Sequence, residues 1–313
     1  MRPIRYLAAL ALLAGFALTD DFAALTSPAS AQDKGTLEPK PLPPLPNPDD
    51  PSVPAKELFG RKSEPASLAP RAIGGYAKGC VAGAAALPID GDTWQVMRLS
   101  RNRNWGHPAL ITFVQRFATQ VPQLNGWHGL LVGDISQPRG GPMLTGHASH
   151  QLGLDADVWL TPMPDRRLSR LEREEMSATN VVRPDWLDVD PAVWTPQHGA
   201  LIRAAAREPE VARIFVNPAI KKALCREAGD DRAWLSKVRP MFGHNYHFHI
   251  RLACPAGEAA CSDQDPPPGG DGCGAELARW FKPEMLNPKP SRPRPPLTMA
   301  QLPAECRRVL AAQ

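Results

Sequence analysis

His244–Leu252 (HNYHFHIRL) is the stretch that decides how this chain folds. Phe248, Ile250 and Leu252 alternate with His247, His249 and Arg251, the period of two expected of a half-buried strand. The imidazoles of His247 and His249 then stand on one face. Gly146–Asp157 (GHASHQLGLDAD) carries a matching pattern. There Leu154, Ala156 and Val158 alternate with Asp155 and Asp157, so two carboxylates share a face of a second strand. His147 and His150 precede that strand in a loop punctuated by Gly146 and Gly153. Together the two stretches hold five of the eight histidines in the chain.

A single His-x-His on a strand is ordinary; two His-rich clusters in a chain otherwise poor in histidine are not. Neutral imidazoles and a carboxylate are the ligands zinc favours, three from protein with the fourth position open in a hydrolytic site. The pattern predicts one zinc ion held where the two strands meet. No His-Glu-x-x-His helix is present, which argues against the helical metalloprotease class but not against zinc. Strand geometry alone chooses neither Asp157 over Asp155 nor His249 over His247. Ser149 lies between two histidines but lacks the G-x-S-x-G elbow of a serine hydrolase.

His150, Asp157 and the later His247-x-His249 resemble the penicillin-insensitive murein endopeptidases. These belong to a wider group of zinc peptidases that includes lysostaphin-type enzymes, D-alanyl-D-alanine dipeptidases and the hedgehog fold. The resemblance runs from about Arg71 to Trp280. It takes in Tyr76, Gly79-Cys80, Gln95-Val96-Met97-Arg98, Gly106-His107-Pro108, the whole of Gly146–Asp157, Arg213–Ile220 (RIFVNPAI), Lys237-Val238-Arg239-Pro240 and Gly270–Leu277 (GDGCGAEL).

This resemblance implies that His150, Asp157 and His249 hold the zinc. It leaves His247 and His244 to exchange a proton with the attacking water and to steady the oxyanion. His147 is implied either as a partner that fixes His150 or as a ligand of a second metal. In the family a further Asp and His follow the first motif; here Asp185, Asp188 and Asp190 occur, but no His between Asp157 and His198, so a complete second site is in doubt. Gln151, Arg98 and His107 are candidate substrate-groove residues. The implied reaction is hydrolysis of the D-alanyl–meso-diaminopimelyl bond in peptidoglycan cross-links, insensitive to β-lactams because no serine is acylated. A dipeptidase or carboxypeptidase on small D-amino-acid peptides, and a metal-binding wall protein without catalysis, are the alternatives.

At the start of the chain, Arg2 and Arg5 precede the apolar run Tyr6–Leu18, and Ala29-Ser30-Ala31 supplies a small-x-small cleavage site. Residues 1–31 therefore read as a cleaved secretory signal, which places the protein in the periplasm. No later stretch approaches the ~20 apolar residues of a spanning helix. Residues 32–70, where prolines nearly alternate from Pro39 to Pro48, read as a disordered arm, and 283–313 as a Pro-rich tail anchored by Cys306. The catalytic domain is expected at 71–282, a length that suits one domain.

Cys80, Cys225, Cys254, Cys261, Cys273 and Cys306 all follow the signal. An even count in an exported chain points to three disulfides, with fifteen possible connectivities. The resemblance implies Cys80–Cys306, Cys225–Cys273 and Cys254–Cys261. A net charge of +4 over 313 residues gives no reason to expect nucleic acid.

Pro108–Val121 reads as an amphipathic helix through Leu110, Phe113, Phe117 and Val121. Leu130–Asp134 reads as a strand, Leu201–Arg213 as a helix, Ile214–Val216 as a strand, and Asn217-Pro218 as a turn before a helix over Ala219–Cys225. The expected fold is α+β: one domain whose central antiparallel sheet carries the zinc site, stapled by three disulfides. The oligomeric state is left open.

Overall fold

The computed structural model describes residues 34–289 and 295–313. The expected signal segment lies outside them. Six strands form the main sheet: β1 (Trp94–Val96), β2 (Leu130–Val132), β3 (Asp155–Trp159), β4 (Val211–Val216), β5 (Val238–Pro240) and β6 (His247–Leu252). Their spatial order is β1-β2-β3-β6-β4-β5. The four central strands pair antiparallel, as expected. The outer pairs, β1 with β2 and β4 with β5, are parallel, so the sheet is mixed at its edges.

The site strands lie side by side. In their register His249 faces Asp157, Arg251 faces Asp155 and His247 faces Trp159. Ala156, Val158, Phe248, Ile250 and Leu252 point to the other face, into the main core. Three helices cover that face: α1 (Pro108–Asn125), α2 (Pro196–Arg207) and α3 (Pro218–Glu227). Leu110, Phe113, Phe117 and Val121 of α1 are buried there, the stripe its period implies. One expectation is corrected: β6 is not half-buried but buried at all six positions. Loops cover its polar face, so the histidines stand in an enclosed site rather than on a wet surface.

α2 runs from Pro196 to Arg207, not Leu201 to Arg213. Its start is set by Pro196 in the first turn, where the missing N–H costs nothing, and by a reciprocal cap between Thr195 and His198. It ends at Glu208 because the residue before Pro209 is driven to extended backbone. Val211–Arg213 are thereby free to join β4. α3 begins after Asn217, whose side chain accepts from the Ala219 amide.

His198 Nδ1 accepts from the Thr195 amide at 3.0 Å while Nε2 donates to the Leu160 carbonyl at 2.9 Å, which fixes the neutral tautomer. Burial, with the Trp127 and Trp194 rings packed against it, holds its proton affinity below the ordinary histidine value and outweighs its hydrogen bonds to the backbone. A depressed folded-state pKa contributes stability that is present above the unfolded value of ~6.5 and lost as pH falls below it. Urea midpoints measured from pH 7.5 to 5 should therefore decline less steeply for His198→Gln than for the wild type, by up to ~1.4 kcal/mol per pH unit. Parallel declines would contradict this.

The three disulfides pair as the resemblance implied: Cys80–Cys306, Cys225–Cys273 and Cys254–Cys261. The first joins the hairpin Arg71–Gly75/Lys78–Ala82 to the C-terminal helix Glu305–Ala311. A second, smaller core forms around it from Ala55, Phe59, Ala66, Ile73, Met299, Leu302 and Val309. This corrects the reading of 32–70 as an arm without a core: Ala55–Phe59 is a helix with Ala55 and Phe59 fully buried. It also extends the folded body past 282. Proline is dense on both sides of this patch, yet two apolar side chains at helical spacing are enough to dock it.

Candidate metal centre

Asp157 is the centre of the site. Its Oδ1 lies 3.4 Å from His150 Nε2, 3.6 Å from His247 Nε2 and 3.6 Å from His249 Nδ1. Its Oδ2 lies 3.5 Å from His147 Nε2. The predicted site residues thus converge on one carboxylate, and the His244 ring stands 4.8 Å from that of His247. His147, His150 and Asp157 offer donor atoms that all lie within 4.8 Å of one another.

Local backbone explains how His150 reaches the site from a loop. It takes φ = 65°, rare for a residue with a Cβ, and its amide is secured by Asp155 Oδ2 at 2.9 Å. Gly153 follows with φ = 67°; a Cβ there would stand 2.7 Å from the His107 amide, so the loop passes against that backbone only without a side chain.

The two aspartates that local pattern could not separate have different neighbours. Asp155 is fully committed: it accepts from the His150 amide, from His249 Nε2 at 2.8 Å and from Arg251 Nε at 2.7 Å. Asp157 faces imidazoles and no guanidinium. Its Oδ1 and His150 Nε2 are buried atoms without a hydrogen-bond partner. A buried anion left in this state is costly unless a cation joins it.

Charges follow from this arrangement. Burial disfavours the Asp157 anion, but His247, His150 and His147 outweigh it and hold its pKa well below the usual carboxylate range. Burial pushes His247 down to about 3 and His249 down to about 4, so both are neutral lone-pair donors at neutral pH. At His150 burial also opposes the charge, yet the Asp157 and Asp155 carboxylates win and raise its proton affinity. The pocket calls for one positive charge, supplied by a proton or by a metal.

His150 and His249 share a further feature. Each turns one nitrogen to Asp157 while the other is anchored, Nδ1 of His150 on the Ile135 carbonyl and Nε2 of His249 on Asp155. Anchoring of the second nitrogen by a carbonyl or carboxylate is the usual setting of a metal-binding histidine. The donor set fits a divalent metal.

Two contributors were missed at the sequence level. Asp134, just beyond β2, accepts on its Oδ2 from His147 Nε2 at 3.0 Å, Arg103 at 2.8 Å and Arg101 at 3.1 Å. Arg251, the polar residue that ends the β6 pattern, neutralises Asp155. Asp134 carried no local signal beyond ending an apolar run. Of the candidate groove residues, Arg98 lines a small cavity together with Asp157 and His247, while Gln151 and His107 are engaged elsewhere. Gln151 bridges the Gly79 amide and the Ala77 carbonyl, Arg98 binds the Arg173 and Met176 carbonyls, and His107 caps α1 against Glu258. Asp185 and Asp188 pair with Arg183 and with Arg226.

Fold and donor set fit a metal-dependent enzyme, and comparison with known sequences makes that class a metallopeptidase. The family described as "Penicillin-insensitive murein endopeptidase" matches residues 72–311. The chain belongs to that family. It is 48% identical to the penicillin-insensitive murein endopeptidase of Yersinia enterocolitica over 248 residues, 79% of this chain and 88% of the relative. Similar proteins of that name occur in Klebsiella pneumoniae strain 342 (47% over 249 residues, 79% and 89% covered) and Pectobacterium atrosepticum (44% over 257 residues, 82% and 89%).

Proposed function

We propose that this protein is a zinc-dependent endopeptidase that hydrolyses D-alanyl–meso-diaminopimelyl cross-links between peptidoglycan stem peptides in the periplasm. The observation that carries this reading is Asp157, a buried carboxylate ringed by imidazoles and no guanidinium, whose Oδ1 has no hydrogen-bond partner. Family membership supplies the substrate class. Three disulfides and the leader-like residues 1–31 support export. Among the described residues no helix is long and apolar enough to cross a membrane.

His150 Nε2, His249 Nδ1 and Asp157 would hold the zinc. When bound, the metal supplies Lewis-acid polarisation of the scissile carbonyl and makes water acidic enough to attack at neutral pH. His247 Nε2, neutral and beside Asp157, accepts the proton of the attacking water and returns it to the leaving amine. His244 donates from Nδ1 to the Phe242 carbonyl at 3.2 Å and would steady the oxyanion from Nε2 once that nitrogen also carries a proton. His147 gives its Nε2 to Asp134 and so serves to hold Asp157 rather than to bind a second ion. Since no serine is acylated, β-lactams leave the activity intact.

The test is direct. Purified cross-linked muropeptide dimers should yield monomers, chelation should stop the reaction, and zinc should restore it; unchanged dimers with zinc replete would end the proposal. A free D-Ala-D-Ala dipeptide cleaved in preference to the dimer would favour the dipeptidase reading. His247→Ala should keep its zinc while turnover falls by ~10²-fold or more. Unchanged turnover would remove His247 from the proton transfer, whereas bound zinc without turnover in either protein would indicate a wall-binding protein without catalysis. Asp134→Asn frees His147 and should weaken zinc binding by about 10- to 100-fold, measured by competition with a chromogenic chelator.

A further inference from the structure

Every residue in 38–48 is a proline or directly precedes one. Proline holds its own φ at about −65° and drives the residue before it to extended backbone, so this run has no helical option and takes the polyproline II form. In the structure residues 39–45 make neither turn nor bend and belong to no helix or strand. The chain on both sides of them is fastened to the body. Gly35 N donates to the Glu174 carbonyl at 3.0 Å, Thr36 N donates to Ser100 Oγ at 3.2 Å, and Ala55 and Phe59 are buried in the small core. A spacer that only extends reach has no use for being tied back at both ends. A ligand displayed on the surface does, because its ordering entropy is met before a partner arrives.

The order of residues selects what such a ligand fits. Three residues make one turn of polyproline II, so side chains three apart line one edge. Lys40, Pro43 and Pro46 share one edge, Leu42 and Leu45 a second, and Pro41 and Pro44 the third. Leu42-Pro43 and Leu45-Pro46 are thus two identical apolar pairs one turn apart, with a cation one turn before Pro43. Apolar pairs repeated in this way fill successive slots between aromatic side chains in grooves that take P-x-x-P segments. Lys40 is exposed and has no ion pair among the described residues, Glu38 included, so its charge is left for an acidic group at the end of such a groove. Leu42 is 43% exposed. Among the described residues the only hydrogen bond from the body to residues 39–46 is that of Arg61 Nε to the Pro43 carbonyl, at 2.8 Å. Leu45 is half-buried and lines an open cleft with Leu58, Met299 and Leu310; the arm need only lift there to present it.

We infer that residues 40–46 are a recognition segment for a partner protein whose groove is lined by aromatic rings and ends in an acidic group. The segment lies outside residues 72–311, the part that matches the murein endopeptidase family, and gives this chain a means of recruitment separate from the metal site.

Two measurements on the full-length protein test this. An isolated SH3 domain that takes P-x-x-P peptides with a leading basic residue probes the groove chemistry, binding being followed by NMR shifts of the labelled domain. It should bind the wild type, and about tenfold or more weakly Lys40→Glu and Leu42→Ala, the scale of losing one anchor. Both side chains are exposed and remote from the metal site, so both variants should melt with the wild type and cleave muropeptide dimers equally. In periplasmic extract of the source organism, a photo-crosslinking side chain in place of Leu42 should give a discrete adduct. Lys40→Glu should remove that adduct, a synthetic peptide of residues 40–46 should suppress it, and the captured protein should carry an aromatic-lined groove. No binding by the domain, binding that survives both substitutions, no adduct, or an adduct with a protein lacking such a groove would overturn the inference. None of these readouts depends on turnover, so they stand apart from the outcome of the hydrolase assignment.

Discussion

Asp157→Asn should abolish hydrolysis, by ~10⁴-fold or more, while leaving the protein folded. Loss on that scale is expected when one member of an interdependent catalytic unit is removed. The sign of the stability effect is the sharper expectation. In the metal-free protein Asp157 is a buried anion that faces imidazoles and no guanidinium, so a neutral amide there removes the desolvation penalty together with the attraction of the imidazoles, and the two largely offset. With zinc present the wild type gains RT ln(1 + [Zn]/Kd), which at a hundredfold excess over Kd is about 2.7 kcal/mol, and the variant gains almost none of it. Thermal melts with and without zinc check this. A variant that melts far below the wild type in chelator would show that Asp157 acts as a structural partner instead.

The second large effect concerns the Cys80–Cys306 bridge, whose residues are 226 apart. In the chain-entropy description, closing so long a loop contributes on the order of 5 kcal/mol, an upper estimate. The bridge also holds the C-terminal helix on the small core of Phe59, Met299, Leu302 and Val309. The double replacement Cys80→Ala/Cys306→Ala should lower the denaturation midpoint by roughly 10–20 °C, taking about 2–4 °C per kcal/mol at this chain length. Replacing Cys254 and Cys261, only 7 apart, should cost on the order of 2 kcal/mol by the same relation. Equal effects from the two pairs would show that loop closure is not what the long bridge supplies. Differential scanning calorimetry in the absence of reductant measures both.

Much of the site could be read from residue order because it rests on local periodicity. Alternation in β3 and β6 put Asp155 and Asp157 on one face and His247 and His249 on another, and an antiparallel pairing then joined the two faces. The choice between the aspartates could not be read this way, since their local surroundings are symmetric. It is Arg251, 96 residues away in sequence but opposite Asp155 in the sheet, that neutralises one and leaves the other bare. Asp134 was invisible for the same reason: its partners Arg101, Arg103 and His147 come from two loops. The boundaries of α2 were misplaced because alanine-rich periodicity was weighed above the Thr195-Pro196 start and the Glu208-Pro209 stop. The docked helix at Ala55–Phe59 was missed because proline density says that a segment cannot build a core, not that it cannot join one.

The central claim is that one divalent metal sits between the loop before β3 and the strand β6. Anomalous diffraction at the zinc edge from crystals grown with zinc, together with elemental analysis of the same protein, tests it directly. The account predicts one zinc per chain, bound to His150, His249 and Asp157, with Asp155 still on His249 and His147 still on Asp134. A metal-saturated crystal without a peak among these side chains, or with its zinc bound elsewhere, would contradict it.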